Sequence, residues 1–384
     1  MKRRVWVSTT PPTDNTYNKI MPLTNLQLTN FRSYTDRTIE LDPVATLVVG
    51  PNATGKTNLL EALFVLATTK SFRAKDAELV YHGEDFYRLA ARQDETELAL
   101  GYQITEGGTE KRARHNGVAR SLSEHLGTLR VVLFEPNDLL VVFGPPDRRR
   151  RYLNFILTQT DTEFVKILAN YRRILQQRNR LLGDWQGQTN ELFAWNLQLA
   201  DQAAEIDRRR RDLITHINTL ATEHYAAIAG SSAPLELRYQ GVVDGAAEYA
   251  TGFLQRLEDS LHRDIAAGFT TIGPHRDAFA LIFKEADIAS VASRGEVRTA
   301  VLALKLAELS YIEGHTGSKP LLLLDDVFSE LDDARRRYLL KTLGAHQSLI
   351  TTTNADVAAE LTAQHTTIHT ELPKAVKSKA KKRS

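Results

Sequence analysis

Cysteine is missing from all 384 residues, which removes disulfides, Cys-based zinc sites and thiol catalysis. A chain of this length buries a sizeable core without cross-links, and roughly 150 residues per domain predicts two or three domains. Long hydrophobic runs are missing too. Apolar runs such as Thr46 to Val49, Leu139 to Phe143 and Pro320 to Leu324 fall far short of the ~18 residues a membrane-spanning helix needs. Lys2-Arg3-Arg4 is not followed by the apolar stretch of an export signal. Residues 1–20 contain Pro11-Pro12 and no periodic pattern, so they read as a disordered extension, with Met21 as a candidate start. These absences point to a reducing compartment, with the cytoplasm as the expected location.

Net charge is only +2, but it is unevenly spread. Residues 1–20 carry +3, and residues 374–384 carry +6 through Lys374, Lys377, Lys379, Lys381, Lys382 and Arg383. The body between them is therefore −7. A basic tail on an acidic body suits local contact with a polyanion, and is equally compatible with plain solvation.

Gly50-Pro51-Asn52-Ala53-Thr54-Gly55-Lys56-Thr57 is a G-x4-G-K-[ST] phosphate loop. A buried-strand run, Thr46 to Val49, precedes it, and a helix opening at Asn58 follows, which is the context the pattern requires. Its glycines let backbone N–H groups and the helix N-terminus cradle phosphates; Lys56 reaches the β and γ phosphates and Thr57 ligates Mg²⁺. Leu321 to Leu324 ending in Asp325-Asp326 reads as a buried parallel strand delivering two carboxylates at its C-terminal end, a Walker B strand. Asp325 is the candidate Mg²⁺ ligand and Asp326 the candidate base that polarises the attacking water. Alone, such an Asp-Asp end is equally compatible with a turn or helix cap; the phosphate loop upstream favours the catalytic reading.

Phe328-Ser329-Glu330-Leu331-Asp332 resembles the D-loop of ABC-type ATPases, with Ser329 and Asp332 its polar members. About thirty residues before the acids, Ser293-Arg294-Gly295-Glu296 opens a helix (Thr299 to Tyr311) in the order of the ABC signature. Standing alone, Ser293 with Glu296 three residues on is an ordinary capping box. The ABC resemblance implies instead that Ser293, Arg294 and Gly295 of one protomer cap the γ-phosphate bound by another, so that ATP joins two heads.

Several further motifs in order extend the likeness: Leu28-Thr-Asn30-Phe31-Arg32-Ser33-Tyr34, Lys70-Ser-Phe-Arg73, Phe134-Glu-Pro136-Asn-Asp138-Leu, Gly144-Pro-Pro-Asp-Arg148, Leu175-Gln-Gln-Arg178-Asn179 and Gly273-Pro-His275-Arg276-Asp277. From about Met21 to Glu371 the chain closely resembles the RecF family of recombination-repair ATPases. The resemblance implies an α/β fold, an ABC/SMC-type P-loop ATPase head in two lobes with an inserted α-helical arm. Residues 1–20 would be the extension, 21–148 the phosphate-loop lobe, 149–270 the arm, 271–370 the signature and Walker B lobe, and 371–384 the basic tail. It implies a weak, DNA-stimulated ATPase whose ATP-dependent homodimer closes on duplex or gapped DNA, with RecR and RecO as partners, RecA served indirectly, and a nucleoid-associated cytoplasmic location. An SMC-like or overcoming-lysogeny-type ATPase with a separate partner is the alternative, and a transporter subunit a more distant one. Within the phosphate site, Asn58 and Arg32 join the ATP-binding set, and Arg73 lies near the nucleotide or interface; a surface ion pair is the alternative reading of both arginines.

There are departures. The family pattern at the signature reads Ser-Arg-Gly-Gln, whereas Glu296 stands in the place of Gln. No Q-loop glutamine occurs in Arg130 to Glu135, and no switch histidine follows Leu349 to Thr353, which fits slow turnover.

Between the lobes, Leu192, Leu199, Ile206, Leu213 and Leu220 recur every seven residues, with Gln202, Arg209 and His216 at the other core positions. A second stripe, Tyr171 to Leu182, precedes a break at Gly183 to Asn190, so a short helical hairpin is expected. Arginine runs on this segment supply candidate phosphate contacts in Arg149, Arg150, Arg172, Arg173, Arg209 and Arg210; solvated helix faces look similar in sequence.

Overall fold

The computed structural model describes residues 22–231, 234–243 and 248–353, together with the backbone of 367–370. The predicted N-terminal extension and the basic tail lie outside the described residues.

Fourteen strands are described: β1 (Leu23–Phe31), β2 (Tyr34–Glu40), β3 (Ala45–Val49), β4 (Phe86–Gln93), β5 (Thr96–Thr105), β6 (Gly108–His115), β7 (Val118–Arg120), β8 (Val131–Phe134), β9 (Leu235–Gln240), β10 (Ala278–Phe283), β11 (Ala286–Asp287), β12 (Leu321–Asp325), β13 (Ser348–Thr352) and β14 (Thr367–Thr370). The central sheet is parallel, in the order β14-β3-β13-β12-β8. Its strands are short apolar runs because both faces are covered. Successive side chains divide between two cores: Leu47, Val132, Leu322, Leu324 and Ile350 enter one, and Val48, Val131, Leu133, Leu321, Leu323 and Leu349 the other.

The second of these cores is closed by helix Lys56–Thr68 and one face of a six-stranded antiparallel sheet, β2-β1-β4-β5-β6-β7. The first is closed by helix Arg294–Thr316 and by the helical segment. That segment comprises Pro146–Thr160, Thr162–Gly183 and the 41-residue helix Thr189–Ala229. Asp161 separates the first two, its carboxylate accepting the N–H groups of Glu163 and Phe164. A small sheet, β11-β10-β9, brings the chain back.

The heptad leucines are indeed interior: Leu192, Leu199, Ile206 and Leu213 are buried and Leu220 is half-buried. Their partner, however, changes along the helix. The distal half packs on Thr162–Gly183 and the proximal half on Arg294–Thr316, where His216 meets the rings of Tyr311 and His315. The expected helical hairpin of Thr162–Gly183 and Thr189–Ala229 is present, and its second helix continues past the first onto the signature helix. The expected boundary at 148/149 falls inside helix Pro146–Thr160, and a single buried cluster runs from Leu47 through the helices to Leu324.

Candidate active site

The turn between β3 and helix Lys56–Thr68 places Gly55 at φ +101, and a Cβ there would lie 2.9 Å from Ser33 Oγ. Only glycine fits this corner. The helix it opens has no side-chain cap and no carboxylate in its first turn, so its positive end is left for an anion. Lys56 curls over the loop, donating to the carbonyls of Gly50 at 2.6 Å and Pro51 at 2.7 Å, so Gly50 to Thr57 form one closed cradle. Burial lowers the Lys56 pKa, while Asp326 and Asp325 pull it back up.

The parallel pairing of β12 with β13, and of β13 with β3, carries Asp325 and Asp326 to this cradle. Asp325 Oδ1 accepts from Thr57 Oγ1 at 2.9 Å and from Thr351 Oγ1 at 2.8 Å. Asp326 sits in the left-handed region at φ 51, with its N–H donated to the Thr351 carbonyl at 3.1 Å. Its Oδ1 is buried without a protein partner. Burial raises the Asp326 pKa, which a backbone N–H at Thr353 and the Lys56 ammonium partly offset. Thr351 was invisible as a site residue in the sequence, since its role depends on strand pairing; the only signal was the threonine run closing β13.

Arg32, expected among the ATP-binding residues, is bonded within its own lobe. Both Nε and Nη2 donate to the buried Glu61 carboxylate at 2.8 Å, and Nη1 donates to the Glu78 carbonyl. Arg73 and Ser71 converge on the same carboxylate, and Arg73 also donates to Asn58 Oδ1. These donors outweigh burial and hold the Glu61 pKa below its ordinary value. Glu61, given no role from the sequence, is thus the anchor that ties Arg32, Asn58 and Arg73 to the phosphate-loop helix.

At the signature, Ser293 caps helix Arg294–Thr316 in a full capping box. Glu296 Oε2 accepts both the Ser293 N–H (2.8 Å) and the Ser293 hydroxyl (2.9 Å), and Oε1 pairs with Lys284 at 2.9 Å. These bonds bring the Glu296 pKa down to about 2. Ser293 and Arg294 are exposed. The Gly295 carbonyl accepts from Arg335 at 2.6 Å, and Arg335 also pairs with Asp332. Asp332 in turn caps helix Asp333–Leu343, and Ser329 Oγ donates to the Asp326 carbonyl. Arg335 thus joins signature and D-loop.

Most of the arginines proposed for DNA are structural. Arg210 is buried, donating to the Pro274 carbonyl and to Asn154 Oδ1; Arg209 is held by Asp161, Glu163 and Glu205. Arg149 donates to the carbonyls of Val141 and Val142, and Arg150 to those of Arg276 and Asp277. A run of arginines states charge but not partner, and here internal acceptors take the donors. Arg172 and Arg173 stay exposed. His275 is also scaffold: the Tyr171 hydroxyl bonds its Nδ1 at 2.7 Å, Nε2 faces the Thr270 carbonyl, and burial takes its pKa down to about 4.

Residues 22–372 match the family model described as the RecF/RecN/SMC N terminal domain. The DNA replication and repair protein RecF of Natranaerobius thermophilus is 38% identical over 358 residues, covering 88% of this chain and 92% of that protein. This chain belongs to the RecF family. A solved structure of the recombination mediator protein RecF-ATPrS in the RecFOR pathway superposes with a TM-score of 0.83 at 32% identity, covering 92% of this chain and 98% of that one. A RecF-ATP structure does so at 0.80 and 33%, covering 87% and 92%. The RecF-family head, an α/β ATP-binding fold, is therefore the frame into which Lys56, Thr57, Asp325 and Asp326 are set.

Proposed function

We propose that this RecF-family chain is an ATP-dependent DNA-binding protein of recombinational repair whose ATP-bound heads pair on duplex or gapped DNA. The observation that carries the reading is the convergence of Lys56, Thr57, Asp325 and the partnerless Asp326 oxygen on an open helix N-terminus. In this reading Gly50 to Asn58 wrap the phosphates through backbone N–H groups, with Lys56 released from its loop carbonyls to bond them. Thr57 and Asp325 are hard oxygen donors already in contact, and they would hold Mg²⁺, which neutralises phosphate charge. Asp326, with one carboxylate oxygen left unpaired and a raised affinity for protons, orients water and takes its proton. Ser293, Arg294 and Gly295 reach the γ-phosphate of a second head, and Ser329 and Asp332 couple that contact to the Walker B end. Hydrolysis is slow and resets the dimer, and RecR and RecO are the working partners in loading RecA. Among the described residues no helix is long and apolar enough to cross a membrane.

The test is molar mass in solution with and without ATP·Mg²⁺ and gapped duplex DNA, for wild type and Ser293→Arg. ATP should turn monomer into dimer, DNA should strengthen it, and Ser293→Arg should bind ATP yet stay monomeric. A Ser293→Arg protein that dimerises normally removes the trans signature from the mechanism.

A further inference from the structure

The antiparallel sheet has one face on the core and one in solvent. Leu89, Ala91, Leu98, Leu100 and Ala113 alternate inward, so the residues between them line the outer face of β4, β5 and β6. Register aligns Arg88, Gly101 and Arg112 across the three strands, with Ala90, Ala99 and Arg114 in the adjacent row. Two interstrand spacings of about 4.8 Å put Arg88 and Arg112 about 10 Å apart, with only glycine between them. The small floor of Ala99 and Gly101 leaves a trough of about 610 Å³, rimmed by Arg88, Arg112 and Arg114 and ended by the exposed Phe86. Arg92 lies on the same strand face, four residues beyond Arg88.

Four arginines against Glu97 and Glu110 make this face +2, on a body whose total is −7. The pairs Arg88–Glu97 (3.1 Å) and Arg112–Glu110 (2.6 Å) are solvent-exposed and screened, weak enough to exchange for phosphate. Among the described residues Arg92 and Arg114 have no ion-pair partner. Asp36 and Glu40 on β2 end the basic track on one side, so it runs across β4 to β6 rather than over the whole sheet. Guanidinium groups spread over an open, shallow floor fit a continuous phosphate backbone better than an enclosed small anion.

We infer that the outer face of β4, β5 and β6 is a phosphate-backbone contact surface for duplex DNA, built on Arg88, Arg112 and Arg114. The inference rests on the DNA-binding reading above and moves that contact from the arm arginines to the sheet.

The experiment measures duplex DNA affinity by fluorescence anisotropy with ATP·Mg²⁺ between about 50 and 200 mM salt. It compares the full chain, Arg88→Ala/Arg112→Ala/Arg114→Ala, and Glu97→Gln/Glu110→Gln. The triple variant should bind at least about tenfold more weakly, and its log–log salt slope should shrink by about 2 to 3, roughly 0.9 per contact. The glutamine pair should bind more tightly than wild type, which keeps the inference testable if the triple variant folds poorly. Wild-type affinity and slope in the triple variant overturn the sheet surface while leaving DNA binding intact. A wild-type chain that binds no DNA overturns the parent reading itself.

Discussion

Replacing Glu296 by Gln tests the trans signature through charge alone. Glu296 accepts the Ser293 hydroxyl, so the one proton on that serine is committed inside its own protomer. A phosphate bonded to Ser293 from the other side would sit about 5 Å from the carboxylate, one hydrogen bond beyond the oxygen they share. At an effective dielectric of about 20 this costs about 3 kcal/mol per pair of unit charges. Lys284, 2.9 Å from the same carboxylate, cancels part of it, leaving about 1–2 kcal/mol. Glu296→Gln keeps a capping side chain, frees the serine hydroxyl and removes the repulsion. The ATP-dependent dimer should therefore tighten by roughly 5- to 30-fold. The assay is sedimentation over a concentration series with ATP·Mg²⁺, alongside thermal unfolding to confirm that the lost Lys284 pair costs no more than about 1 kcal/mol. An unchanged dimer constant would show that Glu296 does not face the partner's phosphates, and would refute the reasoning.

Three other outcomes follow from the same geometry. Asp326→Asn should keep ATP binding within a few-fold and lose at least about 100-fold in turnover, accumulating closed dimer; Asn tolerates the left-handed backbone, so normal turnover would remove Asp326 as base. Glu61→Ala should destabilise by about 2–4 kcal/mol in urea unfolding, below the full cost of a broken buried pair because Arg32 and Arg73 keep some water. A loss under 1 kcal/mol would contradict the anchor role. Burial and the neighbouring Asp138 push the Glu135 pKa up to about 7 from 4.5. The folded protein then binds a proton that the unfolded chain releases, so stability falls as pH rises through that window. Glu135→Gln should accordingly be more stable than wild type by about 1–3 kcal/mol at pH ~8 and nearly equal at pH ~5, with an equal offset at both speaking against it.

What could be read beforehand was what is local in sequence. The Gly50–Thr57 cradle, the strand ending in Asp325-Asp326 and the Ser293–Glu296 box each carry their geometry within a few residues. Glu296 declared itself as a departure before its bond to Ser293 was seen. The partner of Arg32 was not legible because Glu61 lies 29 residues away on another element, and spacing alone cannot choose between a carboxylate and a phosphate. The same applies to Arg209 and Arg210, whose acceptors come from helices Pro146–Thr160 and Thr162–Gly183 and from the turn at Pro274. The heptad of Thr189–Ala229 announced a buried seam, but that its proximal half belongs to the signature helix is a matter of tertiary packing. The basic face of β4 to β6 escaped notice because its arginines are scattered along the chain and meet only through register.

The helix Thr189–Ala229 has a mechanical consequence. Its proximal half is joined to the signature helix, with His224 bridging Ser310 and Tyr338, while about twenty residues project beyond that joint, a span of about 30 Å. The two therefore behave as a crank. A rotation of the pair by about 10° about that joint would move Ser293, about 25 Å along the signature helix, by about 4 Å and the far end of the arm by about 5 Å, so that displacement at the signature end is matched by one of similar size at the tip.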